Sequence, residues 1–146
     1  MKIVADVNVI VSATIAPLGA SRAIIMAWRE GRIELVTSDG IIAEVEEKLR
    51  FPRIGGKYHL ADEDIRTALA TLRTQAQVVA VPLQSIRSVT GDPEDDYVLG
   101  TATEGKVDYL VTGDKGLLEL GQHRGVAILS PRQFVDRILA SSTSPG

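Results

Sequence analysis

The 146-residue chain has no cysteine, so neither a disulfide framework nor a thiolate metal site is open to it. That lack is compatible with a reducing compartment. Histidine occurs only twice, His59 in an irregular stretch and His123 in a turn-like one, which leaves a histidine-based catalytic triad without support. Apolar runs are broken within about a strand's length by polar or charged residues, so no segment reads as a membrane span. The opening "MKIVAD" has one Lys and three apolar residues before an acid, too short for the apolar stretch of a secretory signal. A cytoplasmic protein with no membrane contact is expected. Neither a P-loop nor a GxGxxG pattern occurs, which removes the glycine cradles that hold nucleotide phosphates.

What the chain does have suits one globular domain: 45% hydrophobic and 24% charged residues. The net charge of −3, from 16 Lys and Arg against 19 Asp and Glu, argues against indiscriminate polyanion binding. A local basic patch could still hold nucleic acid.

Runs rich in Val, Ile and Leu predict strands at Lys2–Ala5, Ile33–Val36, Gln77–Val81, Tyr109–Thr112 and Val126–Leu129. Between them, caps and period predict helices at Ser21–Glu30, Asp39–Arg50, Asp62–Gln75, Asp95–Glu104 and Pro131–Ala140. Strands apolar on both faces, alternating with helices, imply a three-layer α/β/α fold around a central, mostly parallel five-stranded sheet. Nothing divides the chain, so residues 1–140 are expected to be one domain and 141–146, "SSTSPG", a frayed tail.

In such a sheet, ligands bind beyond the carboxyl ends of the strands where the strand order reverses. Two predicted strands run out there into an acid, Asp6 after the first and Asp114 after the fourth. If the fourth strand lies beside the first, the two carboxylates share a cleft. The segment "TGDPEDDYVLGTA" brings Asp92, Glu94, Asp95 and Asp96 to the start of the helix that leads into the fourth strand. Glu44 lies three residues beyond Ile41 on the flank of a buried helix face, with Glu46 and Glu47 turned further to solvent. Each of these acids also has an ordinary reading: Asp6 as a turn former or helix cap, Asp92 as a turn residue beside Pro93, Glu94 and Asp95 as acids favoured at a helix N-terminus. Two carboxylates about 4 Å apart repel by roughly 4 kcal/mol at an effective dielectric near 20, so a cluster must be protonated or bind a cation. Oxygen-only ligation suits Mg²⁺ or Mn²⁺, and phosphodiester hydrolysis is the natural chemistry of such a site.

Four stretches, "VADVNVIVSA", "TSDGIIAEV", "DPEDDYVLGTA" and "DYLVTGDKGLL", in that order and over most of the chain, resemble the PIN domain. This is the nuclease fold of many bacterial and archaeal toxins from toxin-antitoxin pairs. The resemblance implies RNA cleavage, usually of single strands, by four acids around one or two Mg²⁺ or Mn²⁺ ions. It carries those acids onto Asp6, Glu44, Asp96 and Asp114. Asp95 is the rival of Asp96, which is preferred because Leu99, Gly100 and Ala102 follow it in the family's phase. The family often has Asp-Thr-Asn at its first motif, and this chain has Asp6-Val7-Asn8, one hydroxyl fewer. Asn8 either orients Asp6 or a water, or caps the following short helix; Thr112 either supports the site or packs as a strand residue. The resemblance also implies a homodimer and a cognate antitoxin protein.

A polyanion approaching such acids needs cations nearby. "KLRFPRIGGK" supplies Lys48, Arg50, Arg53 and Lys57 without an acid, and Phe51 and Tyr58 could stack on bases. The segment reads somewhat more readily as a basic helix end that complements the macrodipole, followed by a solvated loop. Lys115, beside Asp114, is a further phosphate contact or a plain surface lysine.

Overall fold

The computed structural model describes residues 1–51, 60–82 and 90–140. Arg53, Lys57, Tyr58, His59 and the terminal residues 141–146 lie outside them. Strand β1 (Lys2–Ala5) leads into helices α1 (Val7–Ile15) and α2 (Ala20–Arg29), then β2 (Glu34–Ser38), α3 (Asp39–Arg50), α4 (Asp62–Gln75) and β3 (Gln77–Val79). The second half runs α5 (Pro93–Gly105), β4 (Tyr109–Val111), α6 (Lys115–Leu120), β5 (Gln122–His123), β6 (Val126–Leu129) and α7 (Pro131–Phe134), closed by a π-helical turn over Val135–Leu139.

The sheet order is β3-β2-β1-β4-β6-β5. β1 pairs in parallel with β2 on one side and with β4 on the other, Ala5 standing opposite Val111. Winding therefore reverses between β1 and β4, as the acid placement requires. The central strands are apolar on both faces because helices cover both: Ile3, Val4, Ala5, Leu110 and Val111 have no exposed surface. The fold is α/β, in three layers.

Among the described residues six strands are present where five are expected. The additional β5 is a two-residue antiparallel edge against β6, held between Gly121 and Gly125, both at positive φ. Such a short strand has no period to read. Helix α1 is rich in β-branched apolar residues, with Val7, Val9, Ile10, Val11 and Ala13 buried, so its sequence reads as readily as strand. Gln77–Val81 is ordered as a strand only to Val79. Pro131–Ala140 forms as an α-turn that widens into the π-helical turn rather than one regular helix. Among the described residues no single helix is long and apolar enough to cross a membrane. Helices α1 and α2 together would be, but they meet at 90° and give buried side chains to the core.

Candidate active site

Asp6 is the residue at which β1 stops. Its backbone N–H still bonds Val111 of β4, while its carboxylate turns to cap α1: Oδ1 accepts from the Val7 N–H at 2.7 Å. The other oxygen, Oδ2, accepts from the Thr112 hydroxyl at 2.6 Å. Asp6 is only 7% exposed. Burial pushes its carboxyl up from the usual range and the neighbouring Asp114 adds to that, while the Thr112 hydroxyl, the Val7 N–H and the Lys48 charge act in the opposite sense.

Asp114 repeats the device one strand over. It caps α6, its Oδ2 accepting from the Leu117 N–H at 2.9 Å. The fully buried Thr112 joins the two acids, since the same hydroxyl that donates to Asp6 accepts from the Asp114 N–H at 2.9 Å. Thr112 thus both packs in the interior and bonds the two acids. Asp6 and Asp114 are likewise both helix caps and cleft residues, so neither reading excludes the other.

The third acid differs from expectation. Asp95 lines the cleft together with Asp6, Asp114 and Glu44, whereas Asp96 is 5% exposed and turned away from it. Asp96 Oδ1 accepts from both the backbone N–H and the hydroxyl of Thr90, at 2.9 and 3.0 Å. It clasps the turn leading into α5. Asp92 caps that helix, its Oδ1 taking the Glu94 and Asp95 N–H groups. These bonds fix the first turn of α5 so that Asp95 faces Asp114. Desolvation first, then the charges of Asp114 and Asp92, raise the Asp95 carboxyl to about 7.

Glu44 reaches the cleft from α3, beside Glu94. Its carboxyl is raised, first by desolvation and then by Glu94 and Glu47, with Lys48 opposing. Lys48 also lines the cleft, one helical turn beyond Glu44, and its Nζ donates to Asn8 Oδ1 at 3.2 Å. Asn8 is therefore not the cap of α1, a role Asp6 fills; it is exposed and holds Lys48. Arg50, expected at an RNA surface, instead faces α4: its guanidinium pairs with Glu46 at 2.9 Å and with Asp62. Lys115 is exposed at the start of α6 and is not among the cleft-lining residues. Glu94 and Tyr97 were not singled out as site residues by sequence, although both line the cleft.

The result is a cleft of about 350 Å³ at the carboxyl ends of β1 and β4, walled by six carboxylates and one lysine. Among the described residues no three of these acids are already arranged as an ion cage. They crowd one another instead, Asp95 against Asp114 and Glu44 against Glu94, and each of these contacts raises the carboxyl of Asp95 or Glu44. Carboxylates crowded into one cleft repel one another, a repulsion that a divalent cation relieves, and their hard oxygens suit Mg²⁺ or Mn²⁺.

Comparison with known proteins identifies the family of the chain. The chain is 30% identical, over an alignment of 144 residues covering 93% of it and 90% of the relative, to the uncharacterized protein MJ1680 of Methanocaldococcus jannaschii. Residues 2–116, which span every acid of the cleft, match the family described as PIN domain. With the sheet reversal, the strand-end acids and that match in place, the chain belongs to the PIN-domain family, whose members are generally nucleases that use divalent metals.

Proposed function

We propose that the protein is a Mg²⁺- or Mn²⁺-dependent endoribonuclease that hydrolyses phosphodiester bonds of single-stranded RNA. The observation that carries this is the convergence of Asp6, Asp95, Asp114 and Glu44, from four different elements, on one cleft at the reversal point of the sheet. Asp6, Asp95 and Asp114 would hold the ion, with Glu44 on the flank. When bound, such an ion lowers the pKa of its water and offsets charge on a phosphoryl group.

The chain's own residues prepare that chemistry. Thr112 fixes Asp6 and Asp114 relative to each other through one hydroxyl. Asp92 sets the first turn of α5 and hence the direction of Asp95. Lys48, held by Asn8, puts a positive charge beside the acids where a phosphate backbone must enter.

The test is cleavage of a labelled single-stranded RNA with Mg²⁺, Mn²⁺ or EDTA, in wild type and in folded Asp6→Asn and Asp114→Asn variants. Cleavage that needs the ion and disappears in both variants supports the reading. RNA bound but not cut under any condition would instead favour a binding module, a role the buried Val7, with no hydroxyl to offer the site, is compatible with. From the family relation we further propose a cytoplasmic toxin that acts as a homodimer and is restrained by a small antitoxin protein. Inhibition by the product of an overlapping small reading frame tests that role.

A further inference from the structure

The acids wall only part of the cleft. Val7, Ile41, Pro93 and Val98 also line it, and Tyr97 is the one aromatic side chain among its described residues. How Tyr97 is held follows from the start of α3. The first N–H groups of a helix need an acceptor from outside it. Ser38 occupies the cap position but bonds the Thr101 hydroxyl at 2.9 Å instead. The Tyr97 oxygen takes the vacant place, accepting from the Gly40 N–H at 3.2 Å.

Gly40 is what allows the approach. A Cβ there would fall 2.5 Å from the Tyr97 ring carbons Cε1 and Cζ, closer than any side chain can stand. The ring is thus pinned, packed on the core by one part and open to the cleft by another. Because its oxygen accepts from Gly40, its own proton remains to be donated, and among the described residues no acceptor for it is present.

We infer that Tyr97, set against Gly40 and flanked by Val7, Ile41 and Val98, forms a subsite for one unpaired nucleoside next to the acids, the base lying against the ring and the phenol proton donated to base or ribose. Tyr97 is thereby a substrate-positioning residue that places the neighbouring phosphate over the carboxylates. The RNA identity of the ligand rests on the nuclease reading. The site itself rests on the geometry of Tyr97 and Gly40. Base-aromatic stacking contributes about fivefold to over a hundredfold in affinity per base.

The experiment is an NMR titration of methyl-labelled protein in Mg²⁺ with adenosine 5′-monophosphate and, as the probe lacking a base, ribose 5-phosphate, following the methyls of Val7, Ile41 and Val98. Wild type is expected to bind the nucleotide saturably and ribose 5-phosphate about tenfold or more weakly. Tyr97→Leu should remove that difference, and Tyr97→Phe, which keeps the ring, should retain most of it. Calorimetric Mg²⁺ affinity should stay within about twofold in both variants, because Tyr97 is not an ion ligand. Equal binding of the two probes to wild type, or an undiminished difference in Tyr97→Leu, overturns the subsite. RNA cleavage by wild type, run in parallel, separates the two ideas. Cleavage with equal probe binding overturns the subsite alone, and base-dependent binding without cleavage supports the subsite while overturning the nuclease reading.

Discussion

Replacing Asp95 by Asn should make the protein more stable at neutral and alkaline pH while disabling it. The folded-state pKa of Asp95 is raised from 3.8 to about 7, so between those values the native state holds a proton that the unfolded chain releases. Stability therefore falls as pH rises through that window, because the native state there binds more protons than the unfolded state. At 1.36 kcal/mol per unit, a shift of this size has a ceiling of about 4 kcal/mol. Asp95 is only half-buried, and water reaching the carboxyl reduces the net effect to about 1–2 kcal/mol. Asn keeps the shape without the charge. Urea unfolding in EDTA should show the variant and wild type alike near pH 4, and the variant more stable by about 1–2 kcal/mol above about pH 7. Mg²⁺ should then reverse the order, since an ion that binds only the folded wild type stabilises it by RT ln(1 + [Mg²⁺]/Kd). A variant less stable than wild type at high pH, or one with the same pH slope, would refute the crowding of Asp95 by Asp114 and Asp92.

The neighbouring acid should behave in the opposite way. Asp96→Ala deprives the Thr90 N–H and hydroxyl of their acceptor and should cost about 1–3 kcal/mol by urea unfolding, whereas Asp96→Asn, which keeps an acceptor oxygen, should lose less and retain RNA cleavage within about tenfold. Thr112→Val leaves Asp6 Oδ2 and the Asp114 N–H without their shared partner; it should lower Mg²⁺ affinity by about tenfold to a hundredfold in calorimetry, and Thr112→Ser should restore it. Gly40→Ala drives a methyl into the Tyr97 ring and should lower thermal stability by about 1–3 kcal/mol, with Tyr97→Leu partly relieving the loss in the double variant.

The parts of this molecule that could be read from sequence are those where one residue type forces one outcome. Lys2–Ala5 and Tyr109–Val111 are apolar runs of strand length, and the acids that follow them pointed to the sheet reversal that places Asp6 beside Asp114. The choice between Asp95 and Asp96 could not be made that way. Helix α5 is buried almost all round, at Val98, Leu99, Gly100, Thr101 and Ala102, so its apolar positions mark no single face from which to phase the first turn. What turns Asp96 away is Thr90, a contact made through a backbone turn and visible only in three dimensions. The partner of Arg50 was illegible for a related reason: Asp62 belongs to the next described helix, twelve residues on, and no local spacing announces the pairing. Tyr97 was passed over because its role depends on Gly40, 57 residues away.

Asp6 and Asp114 are the acids proposed to hold the ion, and each is also the cap that starts a helix. That double duty limits the routes by which a relative of this protein can lose its activity. Replacement by Ala removes both the charge and the cap, and the cap alone is worth about 1 kcal/mol. Replacement by Asn, Ser or Thr silences the carboxylate yet leaves an oxygen for the Val7 or Leu117 N–H. Inactive descendants should therefore carry cap-forming residues at positions 6 and 114, so that even a chain that has ceased to cut keeps in its sequence the outline of the site it lost.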